Sequence, residues 1–259
     1  MWSANEVAER FVAPPLAGGL ISLGIALAFG FDAAMLAGAA LLIGLLTVLR
    51  PVPRSVQGFW LALREGVGWL WRHGQLRRLA IVLGAYNFLS SMIWSVMVLY
   101  VQDILRLNAM GYGALLSALA AGGLGGSLAA PWIIRRLGPS RGLLLSISGF
   151  ILSSVVLIFT SNPRVAGVAL MGDAFTGMIW NVITVSYRQR HIPPELLGRV
   201  NAAYRFVGSG TLPLGSLAGG ALVAAAAPLG PFALHLPFAA TTLGAGFILV
   251  YAALRLRLD

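Results

Sequence analysis

The sequence predicts an all-α polytopic membrane protein with about eight transmembrane helices, and three observations predict it. Of the 259 residues, 58% are hydrophobic and only 10% charged, with a mean hydropathy of +0.86. Soluble domains carry about 25% charged residues. Apolar runs long enough to cross roughly 30 Å of hydrocarbon recur along the chain. They are continuous rather than alternating, which selects helices over barrel strands. Finally, all 18 basic residues are arginine, and they crowd into alternate gaps between the apolar runs.

In chain order the runs predict spans at 11–29, 31–49, 79–101, 111–134, 142–159, 165–186, 204–227 and 232–254. One set of gaps holds Arg10, then Arg50, Arg54, Arg64, Arg72, Arg77 and Arg78, then Arg135, Arg136 and Arg141. It continues with Arg188, Arg190, Arg199 and Arg205 and ends with Arg255 and Arg257. The other set holds only Arg106 and Arg164. Cytoplasmic loops carry the arginine excess, so both termini are expected in the cytoplasm, which requires an even number of spans. Met1–Arg10 is polar, with no signal-peptide pattern, so insertion is expected to rely on the spans themselves.

Three regions are expected: 1–49 with two spans, a cytoplasmic amphipathic linker at 50–78, and a six-span unit at 79–259. Arg50-Pro-Val-Pro53 stops the second span, because proline cannot donate and restricts the residue before it. Within the linker Trp60, Leu63, Val67, Leu70 and Trp71 fall at helical spacing. That suits a basic helix at the membrane interface, with a solvated linker helix as the alternative.

Small residues four apart (Ala118, Gly122 and Gly126; Gly215 and Gly219) predict close helix approach, since lipid supplies no hydrophobic drive for association. Pro15-Leu-Ala-Gly-Gly19 also echoes Ser216-Leu-Ala-Gly-Gly220, a weak repeat of the kind transporter halves show. The net charge of +10 lies in short loops beside apolar spans, so anionic lipid headgroups are the expected partners and nucleic acid is not. No cysteine is present, and His73, His191 and His235 lie far apart, so no metal or cofactor is expected. No paired catalytic residues share a depth, which argues against an enzyme.

Ser186-Tyr-Arg-Gln-Arg-His-Ile-Pro-Pro-Glu-Leu-Leu-Gly-Arg-Val-Asn-Ala-Ala-Tyr-Arg205 resembles the loop between spans ten and eleven of major facilitator superfamily transporters, in the branch of macrolide-efflux proteins and enterobactin exporters. Trp180-Asn181, Leu212–Gly220, Glu65–His73, Phe11–Gly19 and Phe31-Asp-Ala-Ala34 fit the same branch. The register matches family spans five to twelve, so the expected fold is a major facilitator fold lacking its first four helices. Gly126–Arg141 resembles the second-half counterpart of the family's Gly-rich loop, with Pro131 where an acid is expected. The resemblance implies that Arg135, Arg136 and Arg141, with Arg188, Arg190 and Arg199 of the 186–205 stretch, serve a cytoplasmic gate. It also implies a bacterial plasma (inner) membrane, a small-molecule substrate, and proton-coupled efflux of lipophilic drugs, macrolides or siderophores. The alternative is a non-transporting scaffold or an inactive fragment.

Asp173 is the acid most exposed to membrane cost, lying well inside the sixth span. It shares a helical face with Gly177, Trp180, Asn181, Thr184 and Arg188. Low dielectric favours the neutral form of a carboxyl group, which can then take up and release a proton near neutral pH. A structural hydrogen bond is the alternative. Asn87, Ser90, Ser91 and Trp94, with Tyr86 beside them, form a stripe on the third span. The family's corresponding span lines the central cavity, so this stripe is expected to face substrate, or else to bond to neighbouring helices. Asp32 is expected as a helix N-cap, Glu9 and Arg10 as a pair, and His235 as a structural histidine.

Overall fold

The computed structural model describes residues 25–45 and 58–258. Residues 11–24 of the span expected at 11–29, the echo at 15–19, the Glu9–Arg10 pair and the 46–57 segment lie outside them. The described residues form helices and turns with no strand. The helices are α1 (Ile25–Leu45), α2 (Phe59–Arg72), α3 (Gly74–Asp103), α4 (Ala109–Leu137), α5 (Pro139–Phe159), α6 (Pro163–His191), α7 (Leu197–Ser209), α8 (Leu212–Ala225) and α9 (Leu236–Arg255). A short 3-10 stretch, Ala227–His235, joins α8 to α9. Among the described residues, six segments are long and apolar enough to cross a membrane: α3, α4, α5, α6, the α7–α8 pair, and Ala227–Arg255.

The expected boundary between the first two spans is corrected. α1 runs unbroken through Gly30, Phe31 and Asp32, so Asp32 sits inside a helix and is not an N-cap. One glycine without a proline does not end a helix, and no free N–H waits there for a carboxylate. Genuine caps occur where the chain does turn. Asn108 accepts from the Gly111 N–H at 3.0 Å, and Asn162 from the Arg164 N–H at 2.9 Å. The span expected at 204–227 also begins earlier, at Leu197, and breaks at Gly210-Thr211, just before Pro213. Gly138, with φ +80°, ends α4 and starts α5 in one residue, a backbone state that an L side chain rarely adopts.

The expected glycine rows set the packing. A Cβ at Gly122 or Gly126 of α4 would run into the backbone carbonyls of Met171 and Phe175 in α6. A Cβ at Gly215 or Gly219 of α8 would do the same at Phe88 and Met92 in α3. The arrangement therefore occurs twice: α3–α4–α5 and α6–α7/α8–α9 each present a notched middle helix to the first helix of the other unit. The third helices, α5 and α9, pack on each other and on the first helices.

Hydroxyl groups reinforce the pairs. Thr241 Oγ1 in α9 donates to the Leu89 carbonyl at 3.0 Å, and Ser146 Oγ in α5 to that of Thr176 at 2.6 Å. Tyr100, fully buried at the end of α3, reaches the carbonyls of Leu157 (2.7 Å) and Thr160 (2.9 Å) at the end of α5.

Helix α2, in the segment expected as a linker, lies on α7. Gly66 is buried against the Arg199 carbonyl, Leu70 is buried, and Glu65 pairs with Arg199. Trp60 and Trp71 face outward, while Trp69 stacks on His73 at 3.5 Å.

Candidate functional site

Three helices converge on one carboxyl group. Asp173 stands on the third turn of α6, and α6 is held tightly on its other sides by the glycine notches of α4 and by Ser146 of α5. The acid lines a narrow crevice with Ser90, Ile93, Trp94 and Met97 of α3 and Phe150, Ser153, Ser154 and Leu157 of α5. The crevice has room for about one water molecule. Asp173 Oδ1 is buried and accepts no hydrogen bond, and Ser154 Oγ is buried without a partner as well. Such orphans are costly in an apolar setting, so this pair marks a chemically loaded spot. Tyr86 lies within electrostatic reach of Asp173, and its ring packs on Phe150 at 4.4 Å.

The structure brings together only part of the expected set. Asp173, Ser90 and Trp94 share the crevice. Asn87 and Ser91 turn the other way: Asn87 Nδ2 donates to the Gly208 carbonyl at 2.8 Å, and Ser91 Oγ to that of Leu212 at 2.9 Å. They bond to neighbouring helices, as the alternative reading of that stripe had it. Gly177 leaves open space where a Cβ would stand. Trp180 packs partly buried against the core, and the Thr184 hydroxyl donates to the Asn181 carbonyl at 3.3 Å. Sequence reasoning missed Ser153 and Ser154. Their signal was two adjacent hydroxyls in a span whose other polar side chains are Ser146 and Ser148.

The arginines expected at the gate have different surroundings. Arg135, Arg141 and Arg190 are exposed, and Arg136 lies 5.8 Å from the Trp132 ring. Arg199 pairs with Glu65. Arg188 sits 4.1 Å over the ring of buried Tyr204, with its Nε buried and unpartnered; Asn201 Oδ1 is also buried and unpartnered. This leaves α6 with an acid well inside the helix and a half-sheltered cation in its last turn, 15 residues on or roughly 22 Å along the helix.

A long apolar helical bundle of two interlocked three-span units, with an acid between its helices, is an arrangement suited to moving a small molecule or a proton across a membrane. A family model described as Major Facilitator Superfamily matches residues 7–216. No curated protein and no solved structure matches the chain.

Proposed function

The chain belongs to the Major Facilitator Superfamily, a family of membrane transporters, and from that premise we propose that it exports lipophilic small molecules in exchange for protons. The observation that carries the reading is Asp173 Oδ1, sealed without a donor in a crevice shared by α3, α5 and α6. A carboxyl group there gains by holding a proton when the crevice is closed and loses it when water reaches it. Alternating access supplies both situations in turn, since rocking of one repeat against another opens and closes contacts around a midplane site. Ser90 and Ser154 are the polar neighbours through which the proton arrives, and Trp94, partly exposed on the crevice wall, offers an aromatic face to an amphipathic substrate. On this reading residues 79–259 form one transporter half and 50–78 its cytoplasmic linker. The termini face the cytoplasm of a bacterial inner membrane, and the substrate is of the drug, macrolide or siderophore type.

Reconstituted into vesicles with an imposed proton gradient, the chain is expected to move a lipophilic fluorescent dye against its concentration gradient. Asp173→Asn is expected to cut gradient-driven movement at least about a hundredfold, the scale of a lost proton-transfer group, while leaving dye binding intact. Full gradient-driven flux in that variant would remove Asp173 from the coupling. If the unaltered chain moves no dye, a non-transporting scaffold becomes the better account.

A further inference from the structure

Arg106 and Arg164 are the two arginines that break the charge alternation; Arg164 lines an apolar cleft, and Arg106 immediately precedes Leu107, which lines the same cleft. On one side of the first half of α6, Leu107, Ala114 and Leu115 with Gly167 and Met171 enclose a groove of about 350 Å³. On the other side, Leu145, Leu152 and Val156 with Val165 and Ala169 enclose a groove of about 670 Å³. Both volumes are of ligand size. Arg164 and Val168 line both grooves, so the two diverge from one guanidinium. Arg106 precedes Leu107 at the rim of the smaller groove and holds φ +56°, a left-handed backbone that a non-glycine residue rarely adopts. Both arginines are exposed, and neither forms an ion pair with a described residue.

A guanidinium is always charged, and the arginine-poor end of the bundle is where the topogenic bias disfavours it. One such exception lining two apolar grooves, with the second next in sequence to a residue of the smaller one, calls for an anion whose body is apolar and forked. We propose that this cleft binds one anionic glycerophospholipid, with its phosphate held between Arg164 and Arg106 and one acyl chain in each groove. The charges are complementary, and arginine suits phosphate because its planar fork presents parallel N–H donors. The two grooves match the two chains. Ser153 lines both the larger groove and the crevice of Asp173, so an acyl chain seated there lies directly against that crevice.

The test is lipid retention by the intact chain, purified in mild detergent and weighed by native mass spectrometry, and it does not depend on transport. With added phosphatidylglycerol, one tightly held lipid per chain is expected, phosphatidylcholine is expected to bind more weakly, and glycerol phosphate not at all. The double variant Arg106→Gln/Arg164→Gln should weaken phosphatidylglycerol binding about tenfold, whereas Arg135→Gln/Arg136→Gln at the other end should not. Val168→Trp fills both grooves with the charges intact and should also release the lipid; Leu152→Trp repeats that test should Val168→Trp fail to fold. Unchanged retention in the Arg106/Arg164 variant would overturn the proposal. So would equal losses in the two arginine pairs, or groove variants that alter dye binding or self-association but not lipid retention.

Discussion

α1 and α8 are written in the same small apolar alphabet, Ala, Gly and Leu with few large side chains, and they fare differently. In α8, Gly215 and Gly219 press on the carbonyls of Phe88 and Met92. In α1, Gly30, Gly38 and Gly44 meet no described residue within 4 Å, and every described side chain from Leu27 to Gly44 is exposed. The notch itself is not what differs, because Gly30, Ala34 and Gly38 also form a row at four-residue spacing. What differs is a facing backbone among the described residues. In hydrocarbon, apolar side chains gain nothing by leaving lipid for protein, so helices associate through close packing and hydrogen bonds across the contact. Composition prepares a surface, and the partner decides whether it stabilises anything.

The largest effect should therefore come from filling an occupied notch. Gly126→Leu places a side chain against the Phe175 carbonyl, a backbone atom that cannot swing aside. The cost should reach about 3 kcal/mol, the upper end of the overpacking range. Gly38→Leu, the same change on α1, should stay within about 0.5 kcal/mol. Thermal unfolding in detergent or bicelles reads both. Equal losses would mean that α1 has a partner as tight as that of α4, and the contrast would collapse.

A smaller effect separates two neighbouring hydroxyls. Thr241 Oγ1 crosses from α9 to the Leu89 carbonyl of α3 and is buried, whereas Thr242 Oγ1 returns to Phe238 of its own helix at 2.9 Å. Thr241→Val should cost about 0.6 kcal/mol, the average for interhelical hydrogen bonds in membranes. Thr242→Val should cost nothing measurable, because the helix keeps its own ladder. The same unfolding assay decides, and the reverse order would show that hydroxyls bridging helices count for little here.

Much of this was legible in the sequence because the bilayer imposes a length and arginine marks the breaks. The spans expected at 79–101, 111–134, 142–159 and 165–186 all fall inside α3 to α6. Glycine rows predicted tight pairs, and tight pairs formed at Gly122, Gly126, Gly215 and Gly219. What failed was local chemistry read without its neighbours. Asp32 resembles a cap because it follows Gly-Phe, but a cap needs an exposed helix end, and α1 simply continues. The start of α7 was missed because Arg199, Asn201 and Arg205 look like a loop, although they ride on a helix whose Val200, Ala203 and Tyr204 are buried. The site was half legible for the same reason. Helical spacing shows that Asn87, Ser90, Ser91 and Trp94 share a sector, but a sector wide enough for all four can straddle two neighbours. Ser90 and Trp94 fall toward α6, and Asn87 and Ser91 toward α7 and α8.

The smallest effect concerns α2, where an ion pair and a glycine contact lie side by side. Glu65 and Arg199 pair across the contact with α7, yet their side chains remain 42% and 25% exposed, so water and salt screen them. Gly66, next in sequence, is buried directly on the Arg199 carbonyl, and Leu70 one turn on is fully buried. The contact that excludes water should dominate. Glu65→Gln is then expected to cost about 0.5 kcal/mol or less, and to leave α2 docked as judged by protease accessibility of the 59–72 segment. Release of that segment by Glu65→Gln alone would show that charge, and not the fit of Gly66, fixes the linker helix on the bundle. The rule drawn from α1 and α8 would then stop at the membrane surface, where water restores to charged side chains the freedom to choose partners.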